Sequence, residues 1–153
     1  MLDNVDALAA LPKLRTLLAN GVHISSLAWT GKCTGLRVLM LSSPVLADLT
    51  PLGSLRNLRR LGLSNSPANS IQWVGGCRLL EQLYLGSCRD LQDLRPVSQL
   101  KYLRMIDASM SGAKDVTGIS GCTSLQEANF MCTSLTPESV KELKSMNLKQ
   151  LEV

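Results

Sequence analysis

Five cysteines and one histidine are the residues of this sequence best suited to act as nucleophile, base or soft metal ligand. A Cys–His pair must sit within hydrogen-bond reach, and zinc draws on several Cys and His at short spacings. His23 lies between Val22 and Ile24 in the short stretch GVHIS and reads as a turn residue. Cys33, Cys77 and Cys122 recur 44 and 45 residues apart, and no CxxC is present. Gly75 and Gly76 belong to a turn, with no GxxxxGK[ST] loop to cradle a phosphate. An odd number of thiols without paired spacing suits a reducing compartment better than a disulfide framework. No catalytic residue, metal or cofactor is expected, and the chain does not read as an enzyme.

The cysteine spacing belongs to a larger pattern. LRVLML at Leu36 returns as LRRLGL at Leu58, and the anchor leucine continues as Leu14, Leu80, Leu103, Leu125 and Leu148 in steps of 22 or 23 residues. A second apolar column stands three places on (Leu17, Leu39, Leu61, Leu83, Ile106, Ala128, Leu151), and a third two places further (Ala19, Leu41, Leu63, Leu85, Ala108, Phe130, Val153). Each unit reads LxxLxL. Later apolar columns at every third place, such as Leu46, Leu49, Leu52 and Leu55, suit a tight helical or turn-like return to the next strand. With hydrophobic residues at 45% and aromatics at 3%, the core is expected to be layers of aliphatic side chains.

A period of about 20–29 residues with LxxLxL is the signature of a leucine-rich repeat. The pattern LxxLxLxxxxLxxLxxLxxL resembles the short repeats of bacterial internalins and of eukaryotic phosphatase-regulatory repeat proteins, and LADLTPLGSLRNLRRLGLSNS is especially similar to them. The Gly-Cys-Thr units joined to DLTPL also look similar to repeat proteins of trypanosomatid protozoa. The fold expected is α/β: a right-handed solenoid with a parallel β-sheet on its concave face and short 3-10 or α-helical turns on its convex face. One domain, 1–153, is expected: a partial repeat over 1–13, repeats from 14, 36, 58, 80, 103 and 125, and a final partial repeat over 148–153. Leu2, Val5, Leu8 and Leu11 fall in the columns of Leu46, Leu49, Leu52 and Leu55, and LKQLEV completes a strand phrase, so the repeats read as part of a longer array. A last strand left uncovered would be an edge open to end-to-end contact.

Two departures stand out. The column where the family usually places an Asn reads Val22, Pro44, Ser66, Cys88, Ser111, Thr133, which predicts backbone carbonyls short of donors. After Leu135, TPESVKELKSM predicts a true helix, with Thr136 as cap, Pro137 at its first position and Val140 and Leu143 inward. Two unit types also alternate, since Trp29 and Trp73, and Pro51 and Pro96, share the spacing of the cysteines. Cysteines two units apart are expected about 10 Å apart from the ~4.8 Å strand spacing, beyond the roughly 7 Å limit for a disulfide.

Function is then expected to reside in the surface. The column after the anchor leucine reads Arg15, Arg37, Arg59, Glu81, Arg104, Gln126, Lys149, and the central column Leu18, Met40, Gly62, Tyr84, Asp107, Asn129, Glu152. Taken as outward-facing strand residues, Arg15, Arg37, Met40, Arg59, Arg60, Tyr84, Arg104 and Asp107 form the candidate partner-binding set. Their mixed apolar and charged character fits non-catalytic binding of a protein with an acidic or mixed surface. The alternatives are RNA or nucleoprotein binding through the arginine column, and three roles the resemblance implies: a phosphatase-regulatory subunit, a ubiquitin-ligase adaptor or a surface adhesion protein. No apolar run is long enough to insert in a membrane, and Asp3 and Asp6 stand where a secretory signal carries positive charge, so a cytoplasmic or nuclear location is expected. The net charge of +4 permits an acidic partner without requiring one.

Overall fold

The computed structural model of the protein describes residues 5–46 and 48–153; Leu2 and Asp3, and the side chains of Val5 and Asp6, lie outside what is described. Each LxxLxL phrase lays down one strand: β1 Thr16–Asn20, β2 Val38–Ser42, β3 Arg60–Gly62, β4 Gln82–Tyr84, β5 Met105–Asp107, β6 Glu127–Asn129 and β7 Gln150–Glu152. They form one open, wholly parallel sheet in sequence order, in which Leu17, Leu39, Leu61, Leu83, Ile106, Ala128 and Leu151 are successive register partners. The column fixes the register because a slip of one residue would turn every one of these side chains outward.

The returns are 3-10 segments because their apolar residues recur every third place, the period of a 3-10 turn. Leu49, Leu52, Leu55 and Leu58 make one such staircase, in which the last three amides each bond the carbonyl three residues before at 3.0 Å, and all four side chains are buried. The segments Ala28–Lys32, Thr50–Ser54, Gln72–Gly76, Arg95–Gln99 and Ile119–Gly121 back the sheet in this way. A polar column opens them: Ser26, Asp48, Ser70, Asp93 and Asp115 each accept the amide two residues on, a turn their short side chains are suited to make. Hydrogen bonds from Thr50 and Arg95 hold the Asp48 and Asp93 carboxyls below their usual range, and the Thr117 amide and hydroxyl do the same for Asp115.

The column without asparagine is better served than its residues suggest. Ser111 and Thr133 hydroxyls donate to Ala108 and Phe130 carbonyls at 2.6 Å, and the Cys88 thiol to Leu63 at 3.2 Å. Where Pro44 has nothing to donate, its neighbour Ser43 bonds the Ile24 carbonyl at 2.9 Å. The last return is α1, Pro137–Ser145, capped as expected by Thr136, whose side chain accepts the Ser139 amide. Leu143 is buried beneath it. Two further side chains tie α1 to the preceding unit: buried Ser139 accepts the Val116 amide at 3.0 Å, and Glu142 accepts the amides of Gly118 and Ser120 at 2.8 and 2.9 Å.

Five of the strands, β1 and β3 to β6, turn sharply on leaving the sheet. Gly21, Asn65, Ser87, Met110 and Cys132 take left-handed φ values between 56° and 74° there. For a side chain such as that of Met110, which is 59% exposed, this conformation costs about 1–2 kcal/mol. Met110→Gly is therefore expected to raise stability by up to about 1 kcal/mol, the remainder being lost to glycine's freedom in the unfolded chain. A urea midpoint below that of the wild type would contradict this.

Candidate protein-binding face

The register aligns the central column across the sheet as Leu18, Met40, Gly62, Tyr84, Asp107, Asn129 and Glu152. On β1 to β4 this makes an apolar strip. Leu18 is 66% exposed, Met40 and Tyr84 are partly exposed, and the Met40 thioether lies over Gly62, where a side chain would meet it. Arg60 opens β3 beside the strip and is exposed. Tyr84 donates its hydroxyl to Gln82 Oε1 at 3.2 Å. From β5 onward the column turns polar, and Asp107 also has a structural task, accepting the Ser109 amide at 2.9 Å. A shallow recess of about 150 Å³ there is lined by Asp107, Glu127, Asn129 and Gln150 among others.

Arg15, Arg37, Arg59 and Arg104 are exposed, but each stands one residue before its strand rather than within the sheet. The hydrogen bonds show why. The Arg15 carbonyl accepts both Arg37 N and Val38 N, at 2.8 and 3.0 Å, and the Arg37, Arg59, Glu81, Arg104 and Gln126 carbonyls do the same in turn. Register partners remain one to one, so each shared carbonyl marks the point where the chain enters the sheet, and regular strand pairing begins at the following residue. Met40, Arg60, Tyr84 and Asp107 thus share the sheet, whereas the arginine column borders it. Arg59 is neutralised by an ion pair with Glu81.

The residues first considered for chemistry are structural or isolated. Among the described residues, no three His, Cys, Asp or Glu side chains are placed to hold a metal ion. Cys33, Cys77, Cys88 and Cys122 are buried free thiols and Cys132 is exposed. Burial pushes Cys77 up to about 12 and Cys122 to about 11, and raises Cys33 and Cys88 as well. Since the thiolate is the reactive form, a maleimide or disulfide reagent at pH 8 is expected to modify Cys132 within minutes and the other four only after unfolding. Rapid reaction of a second thiol in the native protein would contradict the burial.

One strand and one return per unit, stacked into a single parallel sheet, define a leucine-rich-repeat solenoid. No protein-family model and no curated protein sequence matches the chain. Solved structures do. Internalin C2 of Listeria monocytogenes is similar over 98% of this chain and 66% of its own, with a TM-score of 0.86 and 21% identity. Internalin InlF of the same organism matches over 94% and 48%, at a TM-score of 0.67 and 22% identity, so the chain spans about half its length. The plant peptide hormone receptor RGFR1, solved with RGF2, matches over 97% of this chain and 26% of its own at a TM-score of 0.73 and 20% identity. At these identities the likeness is one of fold. No helix among the described residues is long and apolar enough to cross a membrane.

Proposed function

We propose that the chain is a non-catalytic binding module that holds a protein partner on the open face of its sheet, centred on Leu18, Met40 and Tyr84 with Arg60 beside them. The observation that carries this is the apolar strip left uncovered on β1 to β4, flanked by charge, since apolar and aromatic anchors surrounded by polar groups dominate protein interfaces. The polar end, with Asp107, Glu127 and Glu152, gives the partner a direction in which to lie. The complex of RGFR1 with RGF2 supports the reading by analogy of fold. Free thiols throughout fit a reducing compartment, cytoplasmic or nuclear. The test is capture of partners from native cell extract with wild type and with a Leu18→Glu, Tyr84→Glu variant, both shown to be folded by circular dichroism. A protein retained by the wild type and bound at least about 10-fold more weakly by the variant supports the reading, on the scale of a hot-spot loss; identical capture by both would refute it.

A further inference from the structure

The margin of the sheet from which the strands start carries a second, chemically different surface. Besides the row Arg15, Arg37, Arg59, Arg104, Lys149, a second basic row follows the last buried residue of three successive returns: Arg56 after Leu55, Arg78 after Cys77 and Lys101 after Leu100, all exposed. Glu81 is the single acid in the two rows, and it is held by Arg59. Among the described residues, Arg15, Arg37, Arg56, Arg78 and Arg104 make no side-chain ion pair, whereas Asp48, Asp93 and Asp115 are gathered at the opposite end of the 3-10 segments. Over seven strands at ~4.8 Å the cationic band runs about 29 Å. Two adjoining recesses of about 340 and 370 Å³ lie along it and share Gly75 and Arg78; the second is also lined by Gln99, Lys101 and Tyr102.

We infer that this margin binds single-stranded nucleic acid, with the two basic rows on successive phosphates and one base stacked on Tyr102. A band of one sign with a fixed pitch matches a polymer of regularly spaced anions. A folded protein would require an apolar centre to exclude water, yet the large hydrophobic side chain among the described residues lining the two recesses is Tyr102, 57% exposed. One aromatic face next to cations is instead what a stacked base needs.

The experiment is fluorescence anisotropy with a labelled 15-nucleotide oligouridylate. With about four to five phosphates neutralised, raising KCl from 50 to 200 mM should weaken binding by roughly 50- to 130-fold. Arg56→Gln, Arg78→Gln, Lys101→Gln together should weaken binding and flatten that salt dependence, and Tyr102→Ala should weaken binding about 10-fold at fixed salt with the slope kept. Leu18→Ala, which removes the apolar anchor without adding charge, should leave oligouridylate binding unchanged, so this inference and the protein-binding reading fail separately. Binding indifferent to salt, indifferent to Tyr102, or displaced as well by a polyglutamate peptide as by unlabelled RNA would overturn it, the last in favour of an acidic protein segment.

Discussion

Replacing Leu61 by Ala is expected to lower the free energy of unfolding by about 2–5 kcal/mol, seen as a fall in urea midpoint with an unchanged slope. Leu61 is fully buried at the middle of β3, with Leu39 and Leu83 as its register partners. The cavity left by truncation closes poorly, because the flanking strands are held at fixed spacing by their own ladders and cannot collapse into it. Leu151, in the same column but only partly buried, should lose distinctly less on the same change. Equal effects at the two sites would mean that the column is not a graded core.

The second large effect comes from adding rather than removing an atom. Gly76→Ala is expected to destabilise the protein by about 1–3 kcal/mol. A Cβ at Gly76 would stand 2.1 Å from the Gly53 carbonyl oxygen and 2.8 Å from its carbon, backbone atoms that cannot turn aside. The segment Gln72–Gly76 would have to retreat from Thr50–Ser54, stretching the bond of 3.2 Å from the Cys77 thiol to the Leu52 carbonyl. Gly31→Ala is the control. Nothing stands within 4 Å of a Cβ there, so reduced freedom of the unfolded chain should make that change neutral or stabilising by about 0.4–1 kcal/mol. Thermal or urea unfolding that ranked the two variants alike would contradict the close approach.

Much of this architecture was legible because a period of 22 or 23 residues makes each column a repeated observation. The strands follow from Leu39, Leu61 and Leu83, the 3-10 returns from Leu49, Leu52 and Leu55, and α1 from Thr136 and Pro137. The arginine column stands at the threshold of the strands: each LxxLxL phrase pairs as strand only from its third residue, because the amides of its second and third residues share one carbonyl. The opening column of the returns was hidden because Ser26, Asp48, Ser70, Asp93 and Asp115 change residue type while keeping one hydrogen bond. The left-handed column was hidden because Asn65, Ser87, Met110 and Cys132 share no side-chain property. Arg56, Arg78 and Lys101 align as well as any leucine column, but they lie in the turn before LxxLxL, where only a count of charges along the period reveals them.

The cysteine column has a consequence for how the solenoid opens. Cys33, Cys77 and Cys122 each donate a thiol hydrogen to the carbonyl 25 residues earlier, of Leu8, Leu52 and Val97, at 3.0–3.2 Å. At two of these joints glycine also lets the backbones meet, Gly76 over Gly53 and Gly121 over Ser98. The intervening units place Leu55 and Leu100 where the thiol would be, and their joints are tied at the other end of the strand, by the Ser43 hydroxyl on the Ile24 carbonyl and the Cys88 thiol on the Leu63 carbonyl. The side-chain ties therefore alternate in place along the stack without leaving a loose joint between these units. Opening is then governed by the depth of burial, so amide exchange should report protection highest across β3 to β5, where Leu61, Leu83 and Ile106 are fully buried, and lower at β7, where Leu151 is only partly covered.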